Sequence, residues 1–201
     1  MNTKAQDIKK QLAKCARELA GEGLVAAVSG NISARCASAI YIKKSGTSFK
    51  NAKPRDFVDI KKIKQVSIEW KLHSACYKAR PDIKAVVHTH PVAILALAAM
   101  GEKLNPVTID CVIYFKSGIR QVGFAQPGSK KLAAIAACAA KKHNGIILKN
   151  HGLVTVGASL KEAGLRAIMA EREAKIILAS RLLKRRTKYL TRKQIALIYN
   201  I

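Results

Sequence analysis

Two histidines stand one residue apart in "DIKAVVHTHPVAILALAAM", Asp82 to Met100, at the end of an apolar strand-like run and just before a proline. On a strand, residues two apart face the same side, so His88 and His90 can turn both imidazoles to one point. That is chelating geometry, and burying two such rings side by side without a shared partner would be costly. A third histidine, His151, sits in "KNHGLVTVG", a turn between apolar strands where the next glycine lets backbone approach closely. Three neutral imidazoles with an open fourth position are the donor set of catalytic zinc. By spacing alone the triad fits that role and a set of hydrogen-bonded structural histidines equally well. His73 and His143, each standing alone, read as structural.

Few carboxylates accompany them, only 12 Asp+Glu in the chain, and one of these, Glu69, falls just inside the helix expected before the histidine strand. A helix N-terminus favours the ionised form, and balancing the helix dipole is its plainest role. A second theme is glycine and serine. "SGNIS" (Ser29 to Ser33) and "KSGTS" (Lys44 to Ser48) are small polar loops at strand ends, with Ser67 at a helix start. Backbone N–H groups and hydroxyls of this kind cradle phosphate dianions, although each loop alone is also an ordinary turn.

The elements that must position these groups follow from periodicity. Thr3 to Leu19 has apolar residues at Ile8, Leu12, Cys15 and Leu19 and stops at "GEG", an amphipathic helix. "LVAAVSGNISAR" and "AIYIKKSG" suggest an antiparallel hairpin, and "FVDI" a further strand. Ser67 is expected to cap the short helix "IEWKLHSACYKA", in which Trp70, His73 and Tyr77 share a helical spacing, and Pro81 ends it. "IKAVVHT" reads as a buried strand and "PVAILALAAM" as a helix with Pro91 in its first turn. "NPVTIDCVIYFKSGIRQVGFAQPG" is expected to form two more strands, and Ser129 to cap the helix "KKLAAIAACAAKK". "GIILKN" and "LVTVG" flank the turn at His151, and Ser159 with Glu162 has capping-box spacing before a long helix to about Leu183. The order implies one three-layer α/β/α domain over 1–201 with a central, mainly antiparallel sheet, and 184–201 as a basic tail or lid with a short terminal helix.

Bulk properties bound the function. At 201 residues and 49% hydrophobic content the chain can fill one substantial core. The longest wholly apolar run, Val92 to Met100, is far short of the ~20 residues that cross a bilayer, and the start "MNTKAQDIKKQLAK" has no signal core. A cytoplasmic protein with no membrane partner is therefore expected. The five cysteines are spread without a CxxC pair and read as reduced core thiols. With 37 Lys+Arg the net charge is +25, a field that attracts polyanions. The basic residues are scattered, aromatics make up only 5%, and no nucleic-acid motif accompanies them, which argues against nucleic acid as the partner.

Taken in order, "SGNIS-R", "KSGTS", "SIEWKLH", "RPDIKAVVHTHP", "NHGLVTVG-SL-EA" and the "E-EAKI" of the last long helix resemble the class II aldolase/adducin family, from the opening helix to about Leu183. The resemblance implies that His88, His90 and His151 bind Zn2+ and that Glu69 serves as acid/base. It further implies that Gly30, Asn31, Ser45, Gly46 and Ser67 hold a substrate phosphate. The implied reaction is retro-aldol cleavage of a ketose 1-phosphate such as L-fuculose 1-phosphate, through an enediolate, to dihydroxyacetone phosphate and an aldehyde. Sites between subunits of a cyclic homotetramer are implied as well. Two departures stand out. Ile68 occupies a position where the family often has a second serine. Where a neighbouring subunit's tyrosine donates a proton, this chain reads "VTIDCVIYF", leaving Asp110 or Tyr114 to substitute; a lid tyrosine is Tyr189 or Tyr199. Within the family the rivals are a ribulose-5-phosphate 4-epimerase, whose subgroup resembles this one with an aspartate at the Glu69 position, and a methylthioribulose-1-phosphate dehydratase, which shares the glutamate. A non-catalytic adducin-like interaction domain is the rival from another class, and retention of the three histidines and Glu69 argues against it.

Overall fold

The computed structural model describes residues 3–62, 64–116 and 118–199. Ser117, in the region read as two strands, and Asn200 and Ile201, in the expected tail, lie outside the described residues.

Seven strands form one sheet in the order β3-β2-β1-β4-β7-β6-β5. They are β1 (Asn31–Cys36), β2 (Ala39–Lys43), β3 (Phe57–Asp59), β4 (Ala85–Thr89), β5 (Ile119–Val122), β6 (Gly145–Leu148) and β7 (Gly152–Gly157). Only β5 and β6 run parallel; every other neighbouring pair is antiparallel. The middle strand β4 is buried along its whole length, which is why "AVVHT" shows no polar alternation.

Helices cover both faces, giving the expected three layers. One face carries α1 (Thr3–Gly21), α3 (Val92–Ala99) and α6 (Leu160–Leu182), packed with Ile32, Ala34, Ala85, Val87 and Leu153. The other carries α2 (Trp70–Ala79) and α5 (Lys130–Ala140), packed with Val86, Ile146, Val154 and Val156. Strand alternation thus assigns Val86 and His88 to the α2 side of the sheet. Ser129 and Ser159 cap α5 and α6 as expected, their hydroxyls accepting from Leu132 N and Glu162 N.

Two local expectations are corrected. "TIDCVIY" is not a strand but a short helix, α4 (Ile109–Tyr114), capped by Thr108. Glu173 from α6 accepts from the Val107 and Thr108 amides and from the Thr108 hydroxyl, so a tertiary carboxylate overrides the β-branched composition. Ser67 is not the cap of α2: Glu69 is the N-cap, one residue before the first turn, and Ser67 Oγ accepts from its amide at 3.4 Å. That displacement frees the Glu69 side chain for the sheet.

The terminal segment ends in α7 (Arg192–Tyr199), which lies against α4, with Tyr199 donating its hydroxyl to the Lys116 carbonyl. Tyr189 is half-buried against the larger core. Cys15, Cys76 and Cys111 are buried, Cys36 is half-buried and Cys138 is exposed; all five are free thiols.

Candidate active site

Three adjacent strands bring the histidines together. In the central ladder His88 sits opposite Asn31 of β1 and Val154 of β7, and His90 follows β4 just before α3. His151 belongs to the β6–β7 turn, where Asn150 adopts a positive φ of 55°, a conformation Asn tolerates better than most residues. The next residue has to be glycine. A Cβ on Gly152 would press on Thr89 O, on His90 Cδ2 at 2.8 Å and on His88 Cε1 at 3.0 Å. Ring centroids of the triad are 4.8, 4.8 and 5.4 Å apart, and one ligand nitrogen from each ring lies within 4.8 Å of the others.

Protonation at this centre follows from its partners. His88 Nδ1 lies 3.0 Å from the Leu153 carbonyl, which can only accept, so in the neutral form Nδ1 carries the proton and Nε2 is bare. That nitrogen faces His90 Nε2 at 3.0 Å and Glu69 Oε2 at 3.0 Å, while Glu69 Oε1 lies 3.3 Å from His151 Nε2. Burial, and then the neighbouring His88 and His151 rings, pull His90 down to about 4; burial and then His88 lower His151. Burial acts to raise Glu69, but the neighbouring His88 and His151 rings and the Asn31 amide donor outweigh it and hold the carboxyl well below the usual range. Lone pairs of three rings and an ionised carboxylate therefore converge with too few protons between them. The donor set fits a bound cation, and the three histidines could hold a metal. The Leu153 carbonyl fixes the His88 tautomer as outer-shell partners of ligand histidines do.

A cavity of roughly 330 Å³ opens beside this centre and is lined by Glu69, His90 and His151. Every residue expected to hold phosphate lines it: Gly30, Asn31, Ser45, Gly46 and Ser67. Gly30 has φ +71°, and a Cβ there would meet Val25 Cγ1 at 2.7 Å and His88 O at 2.9 Å, so the loop must approach the histidine strand as bare backbone. Asn31 is partly engaged already, its Nδ2 donating to Glu69 Oε2 at 3.0 Å and its Oδ1 accepting from His73. Ile68 also lines the cavity and is 65% exposed.

Lys43 is a site residue that sequence reasoning missed. It is 2% exposed yet lines the cavity, and its ammonium donates to Val28 O at 2.9 Å and Thr47 O at 2.5 Å, tying the two glycine-serine loops together. Among the described residues it has no carboxylate within ion-pair distance. Burial lowers it to about 8, against an opposing pull from Asp56. The available signal was its place as the last residue of the hairpin strand, directly before "KSGTS".

Asp110 and Tyr114 are not brought to the cavity of their own chain. Asp110 pairs with Arg172 at 2.6 Å on α4, and the Tyr114 ring packs against the larger core. Neither Tyr189 nor Tyr199 lines it.

The sequence profile of the Class II Aldolase and Adducin N-terminal domain matches residues 10–178. The chain is 32% identical over 183 residues to an L-fuculose phosphate aldolase of Methanocaldococcus jannaschii, covering 88% of this chain and 99% of that protein. It is 30% identical over 152 residues to a 5-methylthioribulose-1-phosphate/5-deoxyribulose-1-phosphate aldolase of Escherichia coli O45:K1, covering 73% and 71%. The crystal structure of L-fuculose-1-phosphate aldolase from Thermus thermophilus superposes with a TM-score of 0.79 at 26% identity, over 86% of this chain and 93% of that one. The chain belongs to the class II aldolase and adducin family. Within it, this is an enzyme of the aldolase type, a lyase acting on carbon–carbon bonds. Among the described residues no helix is long and apolar enough to cross a membrane.

Proposed function

We propose that the chain is a zinc-dependent aldolase cleaving a ketose 1-phosphate, L-fuculose 1-phosphate or a close analogue, to dihydroxyacetone phosphate and an aldehyde. One observation carries the reading: the proton-poor centre of His88, His90, His151 and Glu69 opens into the same cavity as the glycine-serine loops and the buried Lys43. The chemistry that zinc supplies when held by the three histidines is Lewis acidity toward the carbonyl and adjacent hydroxyl oxygens of the ketose. Gly30, Ser45, Gly46 and Ser67 offer N–H and hydroxyl donors to the phosphate, and Lys43 offers the charge. Fixing the phosphate orients the C3–C4 bond toward Glu69. Glu69 Oε1, which has no hydrogen-bond donor among the described residues, passes a proton to C3 of the enediolate once the bond has broken and takes it back in the aldol direction.

A second substrate of the same chemistry is a 5-deoxy or 5-methylthio ketose 1-phosphate, favoured by the Escherichia coli relative. Both readings need a group that accepts the C4 hydroxyl proton as the C3–C4 bond breaks and returns it to the aldehyde oxygen in the reverse, aldol direction. In a cyclic homotetramer Asp110 or Tyr114 of a neighbouring copy takes that role. In support, the flanking Ile109 and Ile113 are 56% and 53% exposed, as expected of a face that another copy covers. Residues 1–201 form one domain in this reading, with 184–201 as its basic tail or lid, in a protein of the cytoplasm.

The test is zinc-dependent release of dihydroxyacetone phosphate from L-fuculose 1-phosphate and from 5-deoxyribulose 1-phosphate, comparing the intact chain with His90→Ala. Release that needs both zinc and His90 is expected. A chain that binds zinc but releases the product from neither ketose would overturn the aldolase reading.

A further inference from the structure

Glu69, His73 and Tyr77 follow one another at four-residue intervals from the cap of α2, and Asn31 and Ser33 lie two apart on β1. Helical and strand periods therefore line up a polar seam where α2 packs on the sheet. All five side chains are buried, and every neighbour in the seam is bonded. Tyr77 OH lies 2.9 Å from Ser33 Oγ, Ser33 Oγ lies 2.7 Å from His73 Nδ1, His73 Nε2 meets Asn31 Oδ1, and Asn31 Nδ2 lies 3.0 Å from Glu69 Oε2.

Chemistry assigns one direction to this chain. The Asn31 amide nitrogen donates to Glu69 Oε2, and its oxygen, which can only accept, faces His73. His73 must then carry its proton on Nε2, leaving Nδ1 to accept from Ser33, which accepts in turn from Tyr77. Burial keeps the ring neutral, lowering it to about 3. Oε2 of Glu69 is thereby held, and Oε1, 3.3 Å from His151 Nε2, is the oxygen left without a hydrogen-bond donor among the described residues.

We infer that His73, as its Nε2–H tautomer, is a positioning residue for the acid/base carboxylate: it locks the Asn31 amide, and the amide sets which oxygen of Glu69 faces the substrate. The inference rests on the reading of Glu69 given above. It separates two roles for Asn31, whose side chain serves the carboxylate first and has one Nδ2–H left for an anion. Ser33 and Tyr77 complete the tautomer lock from behind. None of His73, Ser33 and Tyr77 reaches the cavity, so their effect on turnover is wholly indirect.

The experiment compares wild type, His73→Leu and His73→Gln, the last keeping an N–H where Nε2 stood. Two readouts are taken: hydrogen exchange of the Asn31 side-chain amide by NMR, which needs no turnover, and kcat with KM on the phosphorylated ketose. In the wild type the amide should be protected. In His73→Leu protection should be lost and kcat should fall about 10- to 100-fold with KM and zinc content unchanged, the range for removing an outer-shell partner. His73→Gln should recover most of both. Full protection or wild-type kcat in His73→Leu would overturn the inference, as would equal damage in both variants. A wild type inert toward every sugar phosphate would sink the proposed reaction alone, because amide protection is read without substrate.

Discussion

Gly152→Ala tests the metal centre without touching a ligand. The new Cβ would stand 2.8 Å from His90 Cδ2 and 3.0 Å from His88 Cε1, where ordinary contact begins at 3.4 Å, so the rings must retreat by about 0.6 and 0.4 Å. It would also press on the Thr89 carbonyl, which is strand backbone and yields less readily than a side chain. Metal–ligand distances tolerate only about 0.2 Å, so two of the three ligands leave their working positions together. Overpacking of this kind costs about 1–3 kcal/mol of stability, which a domain with ordinary reserves survives. Misplacement of the reacting groups by up to about 1 Å costs on the order of 100-fold in rate. The expected result is a folded protein with weakened zinc affinity, measured by competition with a chromogenic chelator, and kcat/KM down about 100-fold. Gly123→Ala is the control, since a Cβ there meets nothing within 4 Å. Zinc affinity and kcat/KM equal to wild type in Gly152→Ala would refute the assignment of His88 and His90 to one metal.

Three further outcomes are expected. Lys43→Met should raise KM for the phosphorylated ketose and the inhibition constant of inorganic phosphate while leaving kcat and bound zinc nearly unchanged; an unaltered phosphate inhibition constant would remove Lys43 from the anion site. Because burial lowers this ammonium to about 8, wild-type phosphate affinity should hold up to about that pH and weaken as pH rises through it, whereas Lys43→Arg should stay flat. Glu173→Ala orphans the Val107 and Thr108 donors that start α4 and should cost about 2–4 kcal/mol in urea unfolding; less than ~1 kcal/mol would mean that those groups find water instead. At +25 per chain an assembly of copies repels itself, so low ionic strength should loosen it, and sedimentation showing the same species from low to high salt would count against that.

The parts of the fold and site that are legible in the sequence are those in which one short segment carries both the period and the chemistry. "AVVHTHP" is such a segment: the apolar run, the two-residue spacing and the closing proline all sit within seven residues, and the strand and histidine pair are found as read. The capping serines Ser129 and Ser159 are local in the same sense. "TIDCVIY" defeats such a reading because its helix begins on a carboxylate 65 or 66 residues away, a contact no local pattern can announce. Lys43 and His73 escape notice for a related reason: their significance lies in what they touch. A lysine at a strand end is usually solvated, and only the loop carbonyls around it turn it inward. His73 reads as a satisfied core histidine, and that reading is correct as far as it goes. What turns the satisfied ring into part of the site is the direction of its bonds, because a carboxylate at the far end of the seam admits a single arrangement of donors. Where a helix of period near four lies across a strand of period two, polar residues spaced i, i+4, i+8 on one and i, i+2 on the other can be expected to pair, and a carboxylate at the end of such a seam gives the whole row its polarity.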